Sequence, residues 1–284
     1  KADIVKTVNS LSGGKTSSYL AAHCPADYDV FSLVCIDDAR CKPKDDLLIQ
    51  LVNDKLQKYC SHLPEFIATI EDDKIIKVMF DLEQKIGREI TWVRGMSFDE
   101  MIIAKSGGLP NKSWRFCTTW TKIEPIFWWW YINIGEKIQM NVGFRYDEKE
   151  RKDSFTTSYS IPTNAKNYGE YRQEWTEFEW RVGGFPLIDT RVTNLQVKKY
   201  WDEQDIDFAK DSNCLHCFWK DVQILRRNWD RHPEKMNWAM EQEIKRKATF
   251  KTDVSLRQIK NVMIQADFFD EDTDAGCGSG VCMA

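Results

Sequence analysis

Thr7-Val8-Asn9-Ser10-Leu11-Ser12-Gly13-Gly14-Lys15-Thr16-Ser17-Ser18-Tyr19-Leu20 decides how this chain folds. An apolar run from Asp3 to Leu11 reads as a strand, stops at a Gly pair, and gives way to a helical pattern from Thr16 to about Cys24. A strand, a Gly-rich turn and a helix in that order bring backbone N–H groups and the positive end of a helix dipole to one point, where a phosphate can be held. Lys15 adds an ammonium charge there, and Ser12, Thr16 and Ser17 add hydroxyl donors. Two common phosphate motifs fail on spacing. GxxxxGK[ST] needs a Gly where Asn9 stands, and GxGxxG is not present in the stretch. A capped tight turn is the plainer reading; the coincidence of strand, Gly pair, Lys and hydroxyls favours phosphate binding.

Outward from this stretch the same alternation continues. Asp29 to Ile36 reads as a second strand, ending in Asp37 and Asp38. Either carboxylate suits an adenosine or a metal ion at a strand end, or simply caps the following turn. Pro43 opens an amphipathic helix to about Cys60; Glu65 to Ile70 reads as a third strand, Lys74 to Lys85 as a helix, and Lys137 to Phe144 as another strand. Repeated βα units imply a parallel sheet flanked by helices, an α/β fold. Phe185 to Ile188 is expected to be a last short strand. Helical patterns follow from Thr193 to Asp202 and at 218–230, 233–248 and 255–266. The expected organisation is therefore an α/β nucleotide-binding part over 1–190, a helical region over 191–266 and a flexible Cys-containing tail over 267–284.

Composition bounds the function. The chain has 284 residues, with 40 Lys and Arg against 44 Asp and Glu, a net charge of −4. That balance argues against a dominant polyanion-binding surface. An apolar fraction of 42% with 30% charged residues is globular rather than disordered. The longest apolar stretch, Ile126 to Ile134, is too short to span a bilayer, and with no secretory pattern visible a cytoplasmic location is expected. Its Trp128-Trp129-Trp130-Tyr131 run suits helix burial or a subunit interface better than base stacking. Lys220, Arg226, Arg227 and Arg231, then Lys245, Arg246 and Lys247, could follow a nucleic acid backbone, but a solvated helix face fits the overall charge better. Of nine cysteines, Cys214 and Cys217 form a CxxC, and Cys277 and Cys282 sit in a Gly-rich tail. In a reducing compartment such spacing favours metal or thiol chemistry over disulfides.

Ser12-Gly13-Gly14-Lys15-Thr16-Ser17 resembles the SGGxDS loop of the PP-loop ATP pyrophosphatases and their relatives, the phosphoadenosine phosphosulfate (PAPS) reductase family, with Thr16 in place of the usual Asp. Arg115-Phe116-Cys117-Thr118 through Lys122 to Pro125 is similar to the CCxxxKxxPL segment of iron–sulfur adenylylsulfate reductases, Thr118 standing at the second cysteine. Gly143-Phe144-Arg145-Tyr146-Asp147-Glu148, with Arg151, resembles the GxRxDExxR stretch of PAPS-reductase-like proteins, often phage-borne, and Ser212-Asn213-Cys214 to Cys217-Phe218 resembles their sNCxxCF pattern. The resemblance covers most of residues 4–220.

It implies a Rossmann-like, adenine nucleotide α-hydrolase-like sheet and chemistry on ATP or a PAPS-type sulfonucleotide, coupled to sulfur transfer or reduction. The retained Gly13, Gly14 and Lys15 lean toward a triphosphate. By resemblance, Ser12 to Ser17, Asp37, Asp38, Arg115, Gly143, Arg145, Asp147, Glu148 and Arg151 would contact the nucleotide, with magnesium as an optional companion. Lys15, Lys122, Cys277 and Cys282 would act in catalysis. Cys117, Cys214 and Cys217 would hold a 4Fe–4S cluster with one open iron, or else a zinc completed by His216 or a tail cysteine. A thioredoxin-like or cysteine desulfurase donor, a nucleic acid substrate and a homodimer are compatible partners. The alternative of another class is a non-catalytic nucleotide- or nucleic-acid-binding protein with structural zinc.

Overall fold

The computed structural model describes residues 5–165 and 173–264. Its centre is a five-stranded sheet in the order β5-β2-β1-β6-β9, with every neighbouring pair parallel. The strands are β1 (Thr7–Leu11), β2 (Tyr28–Leu33), β5 (Ile90–Arg94), β6 (Ile138–Val142) and β9 (Arg181–Gly184). Helices α1 (Lys15–His23), α2 (Asp46–Cys60), α3 (Lys74–Ile86) and α6 (Glu124–Asn133) supply the connections that parallel strands require. From β1 the chain builds outward through β2 and β5, then returns to place β6 and β9 on the other side. The strand order therefore reverses between β1 and β6, the position at which open α/β sheets form their crevice. No helix among the described residues is long and apolar enough to cross a membrane.

Several expectations need correction. The run Asp29 to Ile36 is two strands: after β2 the chain turns at Val34 into β3 (Cys35–Ile36), which pairs antiparallel with β4 (Ala68–Thr69) in a separate sheet. The expected third strand, Glu65 to Ile70, thus shrinks to two residues and lies outside the parallel sheet. The fifth strand is instead Ile90–Arg94, a buried run too short to separate from the preceding helix by pattern alone. Phe185 to Ile188 is no strand. Pro186 starts a helical turn, α7 (Pro186–Asp189), because its fixed φ suits a first helical position, and the ladder belongs to β9 just before it. An antiparallel hairpin of β7 (Ser158–Ala165) and β8 (Gln173–Glu179), unmarked in the sequence reading, packs Tyr159 and Phe178 on Phe127 of α6.

The remaining helices are α4 (Phe98–Ala104), α5 (Phe116–Thr118), α8 (Asn194–Asp202), α9 (Val222–Arg231), α10 (Pro233–Arg246) and α11 (Leu256–Lys260). Two apolar cores result. One joins the parallel sheet to its helices and includes Val197 and Trp201 of α8. The other joins β3, β4 and α4 to α9, α10 and α11 through Ile36, Ile70, Met101, Leu225, Trp238 and Ile259. The divide between the cores therefore does not follow the expected boundary near residue 190. Trp129 and Trp130 are buried in the first core, whereas Trp128 and Tyr131 stay exposed.

A polar rung crosses the sheet inside the first core. Asn9 Nδ2 donates to Asp29 Oδ1 (2.8 Å) and to the Cys24 carbonyl (2.9 Å), and Asn9 Oδ1 accepts from Asn141 Nδ2 (3.0 Å). These residues are register partners, Asn9 with Asp29 and with Asn141, and Asn141 with Gly184. Arg88 closes the rung by donating to Asp29 Oδ2 (3.0 Å) and to the Ala21 carbonyl (2.8 Å). Removing Asn9 strands a buried carboxylate oxygen, a carbonyl and an amide. Asn9→Ala should therefore cost about 3 kcal/mol in denaturant unfolding, whereas Leu195→Ala, at an exposed helix position, should stay within about 0.5 kcal/mol. Equal midpoints for the two variants would show that the rung does not hold the sheet.

Candidate functional site

The loop Ser12-Gly13-Gly14 lies at the C-terminal end of β1, beside the reversal point. Gly13 has φ +76, and a Cβ there would stand 2.3 Å from Cγ2 of Ile75 in α3, so only Gly fits. Gly14 is the N-cap of α1 and has no side-chain cap hydrogen bond, so the helix start is left to its backbone. Ser17 braces the turn: its hydroxyl donates to the Gly14 carbonyl (3.1 Å), accepts from Ser12 N–H (3.2 Å) and shares a bond with the Ser12 hydroxyl (3.1 Å).

Three distant parts of the chain close on this turn. After β6, Gly143 runs against α1, and a Cβ on it would lie 3.2 Å from the Ser17 nitrogen. Next to it, Arg145 Nη1 donates to the Thr16 hydroxyl (2.8 Å). Trp201 of α8 donates its indole N–H to the Lys15 carbonyl (2.8 Å), and Ser212 Cβ sits 3.4 Å from where a Gly14 Cβ would be. The GFRYDE stretch is a charge network: Arg145 faces Asp147 (3.4 Å) and Glu148 (3.6 Å), and Arg151 pairs with Glu148 (2.6 Å) while stacking over Phe144. The structure thus brings Ser12 to Ser17 together with Gly143, Arg145, Asp147, Glu148 and Arg151.

Asp37 and Asp38 are engaged elsewhere. Asp37 accepts from the Ser97 hydroxyl, and its N–H donates to Asp99 (2.8 Å). Asp38 caps the following 3₁₀ turn through Arg40 N–H (2.9 Å) and pairs with the Arg40 guanidinium, which bridges to Glu241 of α10. The Arg40 hydrogen bonds hold the Asp38 carboxyl below its ordinary value. The capping alternative therefore accounts for Asp38. Arg115 is half-buried at the N-cap of α5.

The second locus is a cavity of about 30 Å³ lined by Cys117, Thr118, Lys122, Cys214, His216 and Cys217, among others. A π-helical segment, Thr119–Ile123, joins α5 to α6 and carries Lys122. π-segments of this kind recur at functional sites. Lys122 pairs with the buried carboxylate of Glu71 (3.2 Å), a residue the sequence reading did not single out. Burial, with Glu71 adding to it and Lys122 opposing, pushes the Cys214 thiol well above its ordinary value. Burial likewise drives His216 down to about 3, so its imidazole is neutral; the ring lies among Phe98, Trp238 and Phe250, and Nδ1 has no hydrogen-bond partner among the described residues.

The thiol and imidazole donors suit zinc or iron. Among the described residues no group of three or more His, Cys, Asp or Glu is placed to hold a metal ion. Cys277 and Cys282 lie outside the described residues. Protein-family models, curated proteins and solved structures yield no match to this chain.

Thiol accessibility follows from this burial. In metal-free protein at pH 8, Cys117, which is only half-buried, should be alkylated in the native state. Cys35 and Cys41, pushed up to about 12 chiefly by burial, should react only on unfolding, and Cys214, half-buried like Cys117 but with its thiol held well above the ordinary value, should react more slowly than Cys117. Iodoacetamide labelling mapped by mass spectrometry checks this. Native labelling of Cys214 as fast as Cys117 would refute the packing described.

Proposed function

We propose that the chain is a PAPS reductase-like PP-loop enzyme that acts on an adenine nucleotide, ATP or a sulfonucleotide, in a reaction coupled to sulfur transfer or reduction. The observation that carries this reading is the meeting of Gly13, Gly14 and Thr16 with Gly143 and Arg145 at the sheet's reversal point. Backbone amides at the start of α1 and the Lys15 ammonium would take the terminal phosphates. Thr16 matters here. A carboxylate at that position would face Arg145 and the bound phosphates, whereas a hydroxyl leaves the guanidinium's charge to its own acidic neighbours and to the ligand.

With the terminal phosphates held, the α-phosphate is left open to in-line attack by a substrate oxygen. The α-phosphorus bond to the pyrophosphate oxygen breaks, pyrophosphate leaves, and a sulfur nucleophile then displaces AMP. In the sulfonucleotide version a thiolate attacks the sulfur, the sulfur–oxygen bond to the nucleotide's phosphate breaks and the nucleotide leaves, and a second thiolate attacks the resulting S-sulfocysteine, forming the disulfide and releasing sulfite. This reading assigns Cys117, Cys214 and Cys217 to a 4Fe–4S cluster, with zinc as the alternative. Cys277 and Cys282 are the proposed tail thiols. The surroundings are proposed to be cytoplasmic.

A second reading, a nucleotide- or nucleic-acid-binding protein without catalysis, draws on the structural ties of Lys122 to Glu71 and of Asp38 to Arg40. Pyrophosphate release separates the two. Lys15→Ala and Gly14→Val should each abolish ATP binding by calorimetry and pyrophosphate release while leaving the circular dichroism spectrum intact, since a Gly14 Cβ meets Ser212 at an ordinary 3.4 Å. Unchanged affinity in both variants would remove the loop assignment. ATP binding without pyrophosphate or sulfite release from any nucleotide would favour the binder.

Metal content tests the thiol assignment. Anaerobically prepared protein should be brown, and Cys117→Ser, Cys214→Ser and Cys217→Ser should each lower its iron, because cluster iron prefers thiolate to hydroxyl. Colourless protein with one zinc per chain would replace the cluster with a structural site.

A further inference from the structure

A cavity of about 540 Å³, within the range of small-ligand sites, lies at the edge of the parallel sheet, two strands from the Gly13–Gly14 loop. It opens beyond the C-terminal end of β5, between the end of α2 and the start of α6. Gly95 lets one wall come close. A Cβ there would stand 2.4 Å from the Trp120 carbonyl and 2.9 Å from Pro125 Cγ, so the π-helical segment lies directly on the strand end. From the other side, Cys60 Sγ accepts from the Arg94 N–H (3.4 Å) and ties α2 to the same point.

Rings make up much of the wall. Tyr59, Trp120, Trp128 and Trp129 line the cavity, and Leu63 and Ile132 add aliphatic surface. Tyr59 and Trp129 meet edge to face with ring centroids 6.4 Å apart, and Trp128 and Ile132 are exposed. The same lining holds one buried cation. Arg94 is 4% exposed, donates Nε to the Gly95 carbonyl (3.2 Å) and Nη1 to the Pro64 carbonyl (3.1 Å), and makes no ion pair among the described residues. Its Nη2 has no hydrogen-bond partner among them and is not closed off from solvent. A guanidinium held at such low exposure without an acid beside it costs free energy until an anion reaches it. The other charges are matched: Lys58 pairs with Glu89 (2.9 Å), and Glu124 accepts from Trp128 (3.4 Å) and from Tyr159.

We propose that this cavity binds a small aromatic carboxylate, its ring against Trp128 and Tyr59 and its carboxylate on Arg94 Nη2. Walls of rings favour a flat π-system over an aliphatic chain of equal area, because offset and edge-on ring pairs add to simple burial. One unmatched cation selects a monoanion over a neutral ring and over a cation. The site stands apart from the nucleotide reading and does not rest on it.

The test is saturation-transfer NMR and calorimetry on the full chain with indole-3-acetate, and with indole, tryptamine and acetate, which lack the charge, reverse it or lack the ring. Indole-3-acetate should bind with a Kd below about 1 mM, roughly tenfold or more tighter than indole or tryptamine, and acetate should not bind. Trp128→Ala, at an exposed position, should fold normally and weaken that binding roughly tenfold. Arg94→Gln should erase the preference for indole-3-acetate over indole, with folding checked by circular dichroism; the ligand series on the unaltered chain decides the matter if that variant does not fold. Lys58→Ala should keep the preference, and Lys15→Ala should leave binding unchanged, so loss of the nucleotide site and loss of this one are read separately. Indole or tryptamine binding as tightly as indole-3-acetate, no binding of indole-3-acetate, unchanged binding in Trp128→Ala, or loss of the preference in Lys58→Ala would each overturn the proposal. So would displacement of indole-3-acetate by AMP, which would make the cavity part of the nucleotide site.

Discussion

Asn9 hydrogen-bonds in three directions inside the central sheet, and most of the molecule's geometry depends on that buried side chain. Its partners Asp29 and Asn141 stand directly across from it on the two neighbouring strands. A slip of either strand would bury unpaired amide and carboxylate groups, a penalty that apolar β-branched residues could not impose. Burial raises the Asp29 carboxyl above its ordinary value even against Asn9 and Arg88. The contacts therefore do not fully offset desolvation, and the rung acts more on register than on net stability. Through Arg88, which also holds the Ala21 carbonyl, the same network fixes where α1 sits on the sheet.

Fixed register is what brings the loop and its neighbours level. Ser10 pairs with Val142, so Gly143 stands level with Leu11, one residue before Ser12, and the ends of the two strands emerge side by side. Gly143 can then lie against Ser17, and Arg145 can reach Thr16. Ile75, Trp201 and Ser212 complete the enclosure from α3, α8 and the segment before the CxxC. A turn touched by so many separate elements is expensive to deform, which is the preorganisation that anion binding by backbone amides requires.

Much of this was legible because local signals agreed. The Gly pair after an apolar run marked the loop, and repeated βα patterns marked the parallel sheet, since both depend on short-range sequence. What escaped depends on tertiary contacts. Ile90–Arg94 is as apolar as a helix end, and only pairing with β2 makes it a strand. The break at Val34 follows from antiparallel pairing with β4, residues far along the chain. Asp38 at a strand end reads equally as a ligand or a turn cap, and only the structure shows it capping the turn through Arg40 two residues on. Glu71 carried no signal: a lone carboxylate after a short strand gains meaning only when Lys122 arrives from the π-helical segment.

That Glu71–Lys122 pair governs what the thiol cavity can do. Cys214 packs against the second core, and its backbone neighbour Leu215 donates to the Ile70 carbonyl of the segment that carries Glu71. Removing a proton from Cys214 in this setting works against burial and the nearby carboxylate together, and only the Lys122 ammonium favours it. Lys122 is already matched by Glu71, so the local charge is balanced while the thiol stays protonated. A thiolate gains stability here only with an added cation or with a neutralised Glu71. Cys214 is therefore inert at rest, and sulfur chemistry at that thiol must begin with a change in charge.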